Sequence, residues 1–287
     1  MRRTLVAVSS FLGLLAAPLS AATVEAGADA RTEAEFCKGC EALVELALAH
    51  PARKDDRNRD AARHPAETLS FFRVRPDMKV GEYAPGGGWS SRVLAPYLAK
   101  EGHLTGLFFN PKQGPFDADK INASAAGFAD QVAGWTGLPA QSFSGMTLET
   151  VPDDQKGTFD RILVVRMMHN MLRWNIADSE IKAMRALLKD DGLIGIVQHR
   201  AKADAPYAVS YGNRGYLREA DVIKFMEVNG FELVARSEVN ANPRDTADWE
   251  EGVWTLPPTY ALKDKDKAKY AAIGESDRMT LLFRKRP

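Results

Sequence analysis

The residues best placed to do chemistry lie in Val80-Gly81-Glu82-Tyr83-Ala84-Pro85-Gly86-Gly87-Gly88-Trp89, where a short apolar run ends on a carboxylate and enters three consecutive glycines. Three residues without Cβ let a ligand approach the backbone closely and tolerate φ > 0 where other residues clash. Glu82, just before the turn, is placed to meet such a ligand with a negative charge. The spacing is not the G-x-G-x-x-G of dinucleotide binding, and no lysine follows the glycines as a phosphate-cradling loop requires. A purely structural glycine turn is the alternative. Three further groups follow apolar runs. His169 and Asn170 come after residues 160–165, His169 as a base or orienting group and Asn170 as a polar contact. His199 and Arg200 come after residues 193–198, either facing a substrate or forming a local salt bridge. Glu238, Asn240 and Asn242 share one parity, which makes them a substrate-binding row or an Asn-rich turn that stabilises itself.

The elements that must position these groups alternate between strand-like and helix-like patterns. Strands are expected at residues 79–83, 103–108, 160–165, 193–198, 231–238 and 279–284, and helices at 41–49, 64–72, 89–98, 119–128, 178–188 and 218–229. Lys189-Asp190-Asp191-Gly192 reads as a glycine helix stop before a strand. Such alternation implies a parallel sheet covered on both faces, with ligands in the crevice beyond the carboxyl ends of the strands. Residues 240–278, with Trp249, Trp254, Pro257, Pro258 and Tyr260, read as an ordered excursion or lid.

An acid at a strand end followed by a compact glycine turn resembles motif I of class I S-adenosylmethionine (SAM)-dependent methyltransferases. From about residue 59 onward the chain resembles a family of predicted bacterial SAM-dependent methyltransferases, many with signal peptides. The resemblance rests on Arg59-Asp60, His64-Pro65-Ala66-Glu67-Thr68-Leu69, Pro85-Gly86-Gly87-Gly88-Trp89, His169-Asn170 and His199-Arg200. It continues through Gly215-Tyr216, Ser237-Glu238-Val239-Asn240-Ala241-Asn242-Pro243, Gly252-Val253-Trp254-Thr255-Leu256-Pro257-Pro258 and Gly274-Glu275-Ser276-Asp277-Arg278-Met279-Thr280. It implies an α/β, Rossmann-like class I methyltransferase fold, mostly parallel with an antiparallel last strand. It also implies SAM held by Glu82, Pro85, Gly86, Gly87 and Gly88, and methyl transfer to a small or medium-sized acceptor. His169, Asn170, His199, Arg200, Glu238, Asn240 and Asn242 would then orient or deprotonate that acceptor. One departure stands out: where the family places an acid for the ribose hydroxyls, this chain has Phe109-Asn110-Pro111, and Asn110 is a weaker hydrogen-bonding partner.

Lys+Arg and Asp+Glu are both 38 of 287 residues, so no overall basic field favours nucleic acid or acidic lipid. Met1-Arg2-Arg3, an apolar stretch over residues 5–17 and Ser20-Ala21-Ala22 form a signal-peptide pattern, which predicts a periplasmic protein without stable membrane insertion. The expected division is signal peptide 1–22, N-terminal arm 23–64 and methyltransferase domain 65–287. Cys37 and Cys40 suggest a local disulfide, with a redox dithiol as the alternative; no metal site is expected. SAM is made in the cytoplasm, so export raises a second hypothesis: a non-catalytic ligand-binding protein that keeps the fold.

Overall fold

The computed structural model describes Cys37 and residues 39–287; the expected signal peptide lies outside the described residues. The chain runs through α1 (Cys40–Leu48), α2 (Asp60–Arg63), α3 (Pro65–Phe71), β1 (Lys79–Tyr83), α4 (Ser91–Leu98), β2 (His103–Phe108), α5 (Ala118–Thr136) and β3 (Phe143–Thr147). It continues through β4 (Phe159–Val165), α6 (Met168–Arg173), α7 (Ala177–Leu187), β5 (Leu188–His199), α8 (Tyr207–Ser210), α9 (Glu219–Val228), β6 (Phe231–Ser237), α10 (Lys267–Ile273) and β7 (Arg278–Lys285). None of the described helices is long and apolar enough to cross a membrane.

The seven strands form one sheet in the order β3-β2-β1-β4-β5-β7-β6. The pairings from β3 to β5 are parallel, and β7 runs antiparallel to both β5 and β6. Strand side chains alternate between two apolar layers. Val80, Leu104 and Leu163 pack with Val44, Leu69, Val93 and Phe128 on one face. Leu107, Ile162 and Ile194 pack with Met171, Ile181 and Met226 on the other. Both faces are covered, as a parallel sheet requires.

Two local readings change. Lys189-Asp190-Asp191-Gly192 is not a glycine stop: α7 ends at Leu187, and Leu188 is already extended and paired with Phe159. The next pairing is Arg161 with Leu193, so the four residues form a bulge within β5. The edge strand β3 escaped the sequence pattern because only Phe143 of its five residues is buried. The neighbouring helix α5 presses onto it so closely that a Cβ on Gly145 would sit 2.1 Å from the Ala125 carbonyl oxygen.

The first described residues are fastened to the sheet domain. Cys37 and Cys40 are disulfide-bonded, with Cα atoms 5.3 Å apart. Val44 and Ala47 of α1 enter the same apolar layer as α3 and α4. Arg53 is fully buried and bonds the Asp60 carboxylate at 2.6 and 3.0 Å, while Arg92 of α4 bonds Asp56 at 2.6 and 3.0 Å.

The Gly145 contact yields a prediction. Gly145→Ala should cost about 1–3 kcal/mol, because the obstacle is helix backbone rather than a movable side chain. Urea unfolding with an unshifted midpoint would show that α5 does not press on β3 in this way.

Candidate functional site

The loop after β1 is built from alternating left-handed residues: Ala84 (φ 49°), Gly86 (57°) and Gly88 (75°). Backbone bonds from Ala84 N–H to Leu107 O and from Gly88 N–H to Pro85 O hold it. Arg92 Nη1 donates to Gly87 O at 2.9 Å. The three glycines do different work. A Cβ on Gly88 would lie 2.3 Å from the Trp135 ring, so that position is bare for packing. A Cβ on Gly87 would meet nothing within 4 Å, and one on Gly86 only the Ala84 carbonyl oxygen at 3.8 Å. The ligand-accessible part of the turn is Gly86-Gly87.

Glu82 lies beneath that turn, buried, and accepts a 2.6 Å hydrogen bond from Ser91 Oγ at the start of α4. Burial pushes its carboxyl up to about 7, against the opposing effect of the Ser91 bond. Past β2, the Asn110 N–H donates to Glu180 Oε1 at 2.8 Å, and Asn110 Oδ1 accepts from the Lys112 N–H at 2.9 Å. Its Nδ2 engages no hydrogen bond among the described residues.

Above β4 and β5 the structure brings His169 and His199 together, with ring centroids 5.4 Å apart. Gln198 orients the first. Its Nε2 donates to the Gly215 and His199 carbonyls at 2.8 and 3.2 Å, which turns Oε1 toward His169. That oxygen lies 3.1 Å from Nδ1 and also accepts the His169 N–H. An acceptor at Nδ1 places the ring proton there and leaves the Nε2 lone pair available. Burial pulls His169 down to about 4. Burial and neighbouring positive charge hold His199 well below its ordinary range; its Nδ1 lies 2.5 Å from Ser276 Oγ.

The 240–278 excursion covers this pair. Trp254 packs on His169, and Tyr216 on His199, at centroid distances of 5.9 and 6.3 Å. Asp245 is fully buried and accepts bonds from the Tyr216 hydroxyl, the Trp249 indole and the backbone N–H groups of Ala247 and Asp277. The remaining sequence candidates serve nearby contacts. Arg200 is engaged by Asp277, Glu238 and Glu219, so the local ion pair describes it and Glu238. Asn242 donates to the Ile273 and Glu275 carbonyls and accepts from the Arg244 N–H, as a self-stabilising turn does. Asn240 is buried and donates to Thr68 and Thr280 hydroxyls at 3.0 Å. Asn170 donates weakly to Met167, and its Oδ1 is buried without a partner.

Sequence reasoning missed an arginine cluster, in which Arg63 and Arg278 are buried and Arg166 is half-buried. Arg63 from α2 donates through Nε to both Glu275 oxygens at 3.0 Å, and Arg278 donates to Glu275 at 2.8 Å and to the Ala62 carbonyl. Arg166, just after β4, sits at φ 58° with its Nε buried and unpartnered. The guanidinium of Arg63 lies 4.8 Å from the Trp89 ring centroid, which joins the cluster to the glycine turn. Its members come from distant strings, so spacing gave no signal, although Glu275 and Arg278 lie within a quoted motif.

No protein-family model matches the chain, and no curated protein matches it. Many solved structures do. The cyclase SpnF matches with a TM-score of 0.51 and 16% identity, over 78% of this chain and 81% of its own. MccD gives a TM-score of 0.51 and 12% identity, over 78% and 96%. The strand order and its single antiparallel member agree with these matches. The fold is the Rossmann-like class I methyltransferase fold. A SAM-dependent methyltransferase from Aquifex aeolicus gives a TM-score of 0.48 and 14% identity, over 70% of this chain and 93% of its own. The two matches with a TM-score of 0.51 establish architecture, and at such identities function has to come from the site.

The state of Glu82 is testable through pH. Its carboxyl titrates near 4.5 in the unfolded chain and about 7 in the fold, so its contribution to stability is complete below 4.5 and lost as pH rises through 7. Glu82→Gln should therefore match wild type near pH 4.5 and exceed it by up to about 3 kcal/mol at pH 8. Urea melts that differ equally at both pH values would refute a buried, protonatable Glu82.

Proposed function

We propose that this protein is a SAM-dependent methyltransferase acting on a small or medium-sized acceptor. The observation that carries the reading is the left-handed turn after β1, open over Gly86 and Gly87 at the carboxyl edge of the sheet, where ligands of such folds sit. The residues present fit the cofactor there. Bare backbone at Gly86-Gly87 admits its amino-acid portion, Glu82 supplies a carboxyl beneath the turn, and Asn110 Nδ2 is an unused donor for a ribose hydroxyl. When bound, SAM supplies an electrophilic methyl group.

This chain's own residues would then align the acceptor, and alignment is the larger part of lowering the barrier to an in-line displacement. His169 presents Nε2 as an acceptor, fixed by Gln198 and kept unprotonated down to about pH 4. So weak a base suits an acceptor that releases its proton readily. Trp254 and Tyr216 exclude water from the two imidazoles, which strengthens any hydrogen bond made there. The N-terminal sequence pattern and the Cys37–Cys40 disulfide support action after export, in the periplasm.

One observation favours the non-catalytic reading. No carboxylate follows β2, and Asn110 Oδ1 is already committed to Lys112. Titration calorimetry with S-adenosylhomocysteine decides first whether the cofactor site exists. Gly87→Val places a side chain in open space, so it should leave the urea midpoint unchanged while weakening that binding by roughly tenfold or more. Absence of binding in wild type, or equal affinity in the variant, would overturn the methyltransferase proposal. Binding without methyl transfer to any of a broad set of acceptors would favour the ligand-binding alternative.

A further inference from the structure

Beside the glycine turn lies a cavity that the cofactor reading leaves without a role. Three arginines line it, Arg63, Arg166 and Arg278, and its other polar side chains are Thr68, Trp89, Ser90 and Asn240. Its other walls are apolar and belong to one of the two layers: Leu69 of α3, Val93 of α4, Leu163 of β4 and Val197 of β5 among them. It offers about 50 Å³ on a scale where one water needs 10–15 Å³, too little for an adenosyl group and enough for a short chain with a small polar head.

The charges in this cavity do not balance. Three guanidiniums face a single carboxylate, Glu275, and that carboxylate is already shared between Arg63 and Arg278. Arg166 makes no side-chain hydrogen bond among the described residues, and Nη1 of Arg63 and Nε of Arg278 are also buried without partners. A guanidinium nitrogen held away from water without a partner is costly, and the strained backbone of half-buried Arg166 (φ 58°) adds to that cost. Such orphaned donors call for an explanation, and a ligand that completes them is one. Burial and the nearby Arg63 charge pull Arg166 down to about 9, which leaves it cationic at neutral pH.

We propose that this cavity holds a small apolar carboxylic acid, its carboxylate on Arg166 with Arg63 and Arg278 flanking it and its short chain against Val93 and Val197. The acid is the anchoring end of the methyl acceptor. That last assignment rests on the proposed function, whereas the binding itself does not. Carboxylate chemistry follows from the planar forks of arginine, and the apolar walls exclude a bare inorganic anion. The cavity borders Trp89 and Ser90 of the glycine turn on one side and Val165 and Arg166 of the β4 end on the other. A molecule anchored there extends toward His169 and the cofactor turn.

The test is a ligand-observed NMR titration of the full protein with butyrate, butyramide and inorganic phosphate, with S-adenosylhomocysteine titrated separately. Butyrate should bind saturably, and butyramide and phosphate should bind roughly tenfold or more weakly. Arg166→Met should weaken butyrate to a similar degree while leaving S-adenosylhomocysteine affinity unchanged. Val93→Phe, which fills the cavity without touching an arginine, should abolish butyrate binding. No saturable butyrate binding in wild type, butyrate binding indifferent to both variants, or phosphate binding more tightly than butyrate would each overturn the proposal. So would loss of S-adenosylhomocysteine in Arg166→Met, which would show that the arginines hold the cofactor's own carboxylate. Butyrate binding in a protein that does not bind S-adenosylhomocysteine would support the anion site and remove the methyltransferase reading.

Discussion

One carboxylate holds two parts of this molecule in register. Glu275 accepts bonds from Arg63 of α2 and from Arg278 at the start of β7, and all three side chains are buried. Burial works to raise the Glu275 carboxyl, but the Arg63 bond and the Arg278 charge outweigh it and keep it below its ordinary range. Removing either kind of partner would leave a charge away from water, which costs far more than an exposed pair gains. The N-terminal segment is therefore part of the domain's polar interior. Through Arg63 on Trp89 and Asp56 on Arg92, the same segment braces the glycine turn from behind.

The carboxyl edge of the sheet is organised by a second shared carboxylate. Asp245 satisfies a phenol, an indole and two backbone N–H groups, and so fixes how the 240–278 excursion lies over β5. Close backbone approach does the rest. A Cβ on Gly252 would lie 2.3 Å from the Arg214 carbonyl, and one on Gly215 would lie 2.3 Å from Val253. These contacts bring Trp254 onto His169 and Tyr216 onto His199. Two histidines that would otherwise titrate near neutrality are thereby kept uncharged.

The sheet was largely legible in the sequence, because β4 and β5 carry apolar runs at residues 162–165 and 193–197 and turn residues bound the shorter β1 and β2. Residues 79–83 and 103–108 match β1 and β2 end to end. The edge strand β3 was not legible, since Ser144, Gly145 and Thr147 carry no apolar alternation and the strand is specified by α5 lying across it. The turn at Gly86-Gly87 could be found because bare backbone is written directly in residue type. Side-chain partnership could not. Arg200 read equally as a substrate contact or as half of a salt bridge, and Glu238 as part of a substrate-binding row or of an Asn-rich turn, until the fold set Glu238 and Asp277 against the same guanidinium. Arg166 is a single arginine in an ordinary string, and only its left-handed backbone and the two other guanidiniums facing the same cavity mark it out.

The Arg63–Glu275 contact joins residues 212 positions apart in the chain. Closing so long a loop comes late, since its entropy must be met before the contact returns anything. During synthesis Arg63 emerges long before its counter-charge exists, and β7, which sits between β5 and β6, arrives last of all the strands. The five parallel strands can pair before then, but β6 has no place in the sheet until nearly the whole polypeptide is available. A chain crossing a membrane before folding would remain open at that edge through that interval, with β5 and β6 waiting for the strand between them.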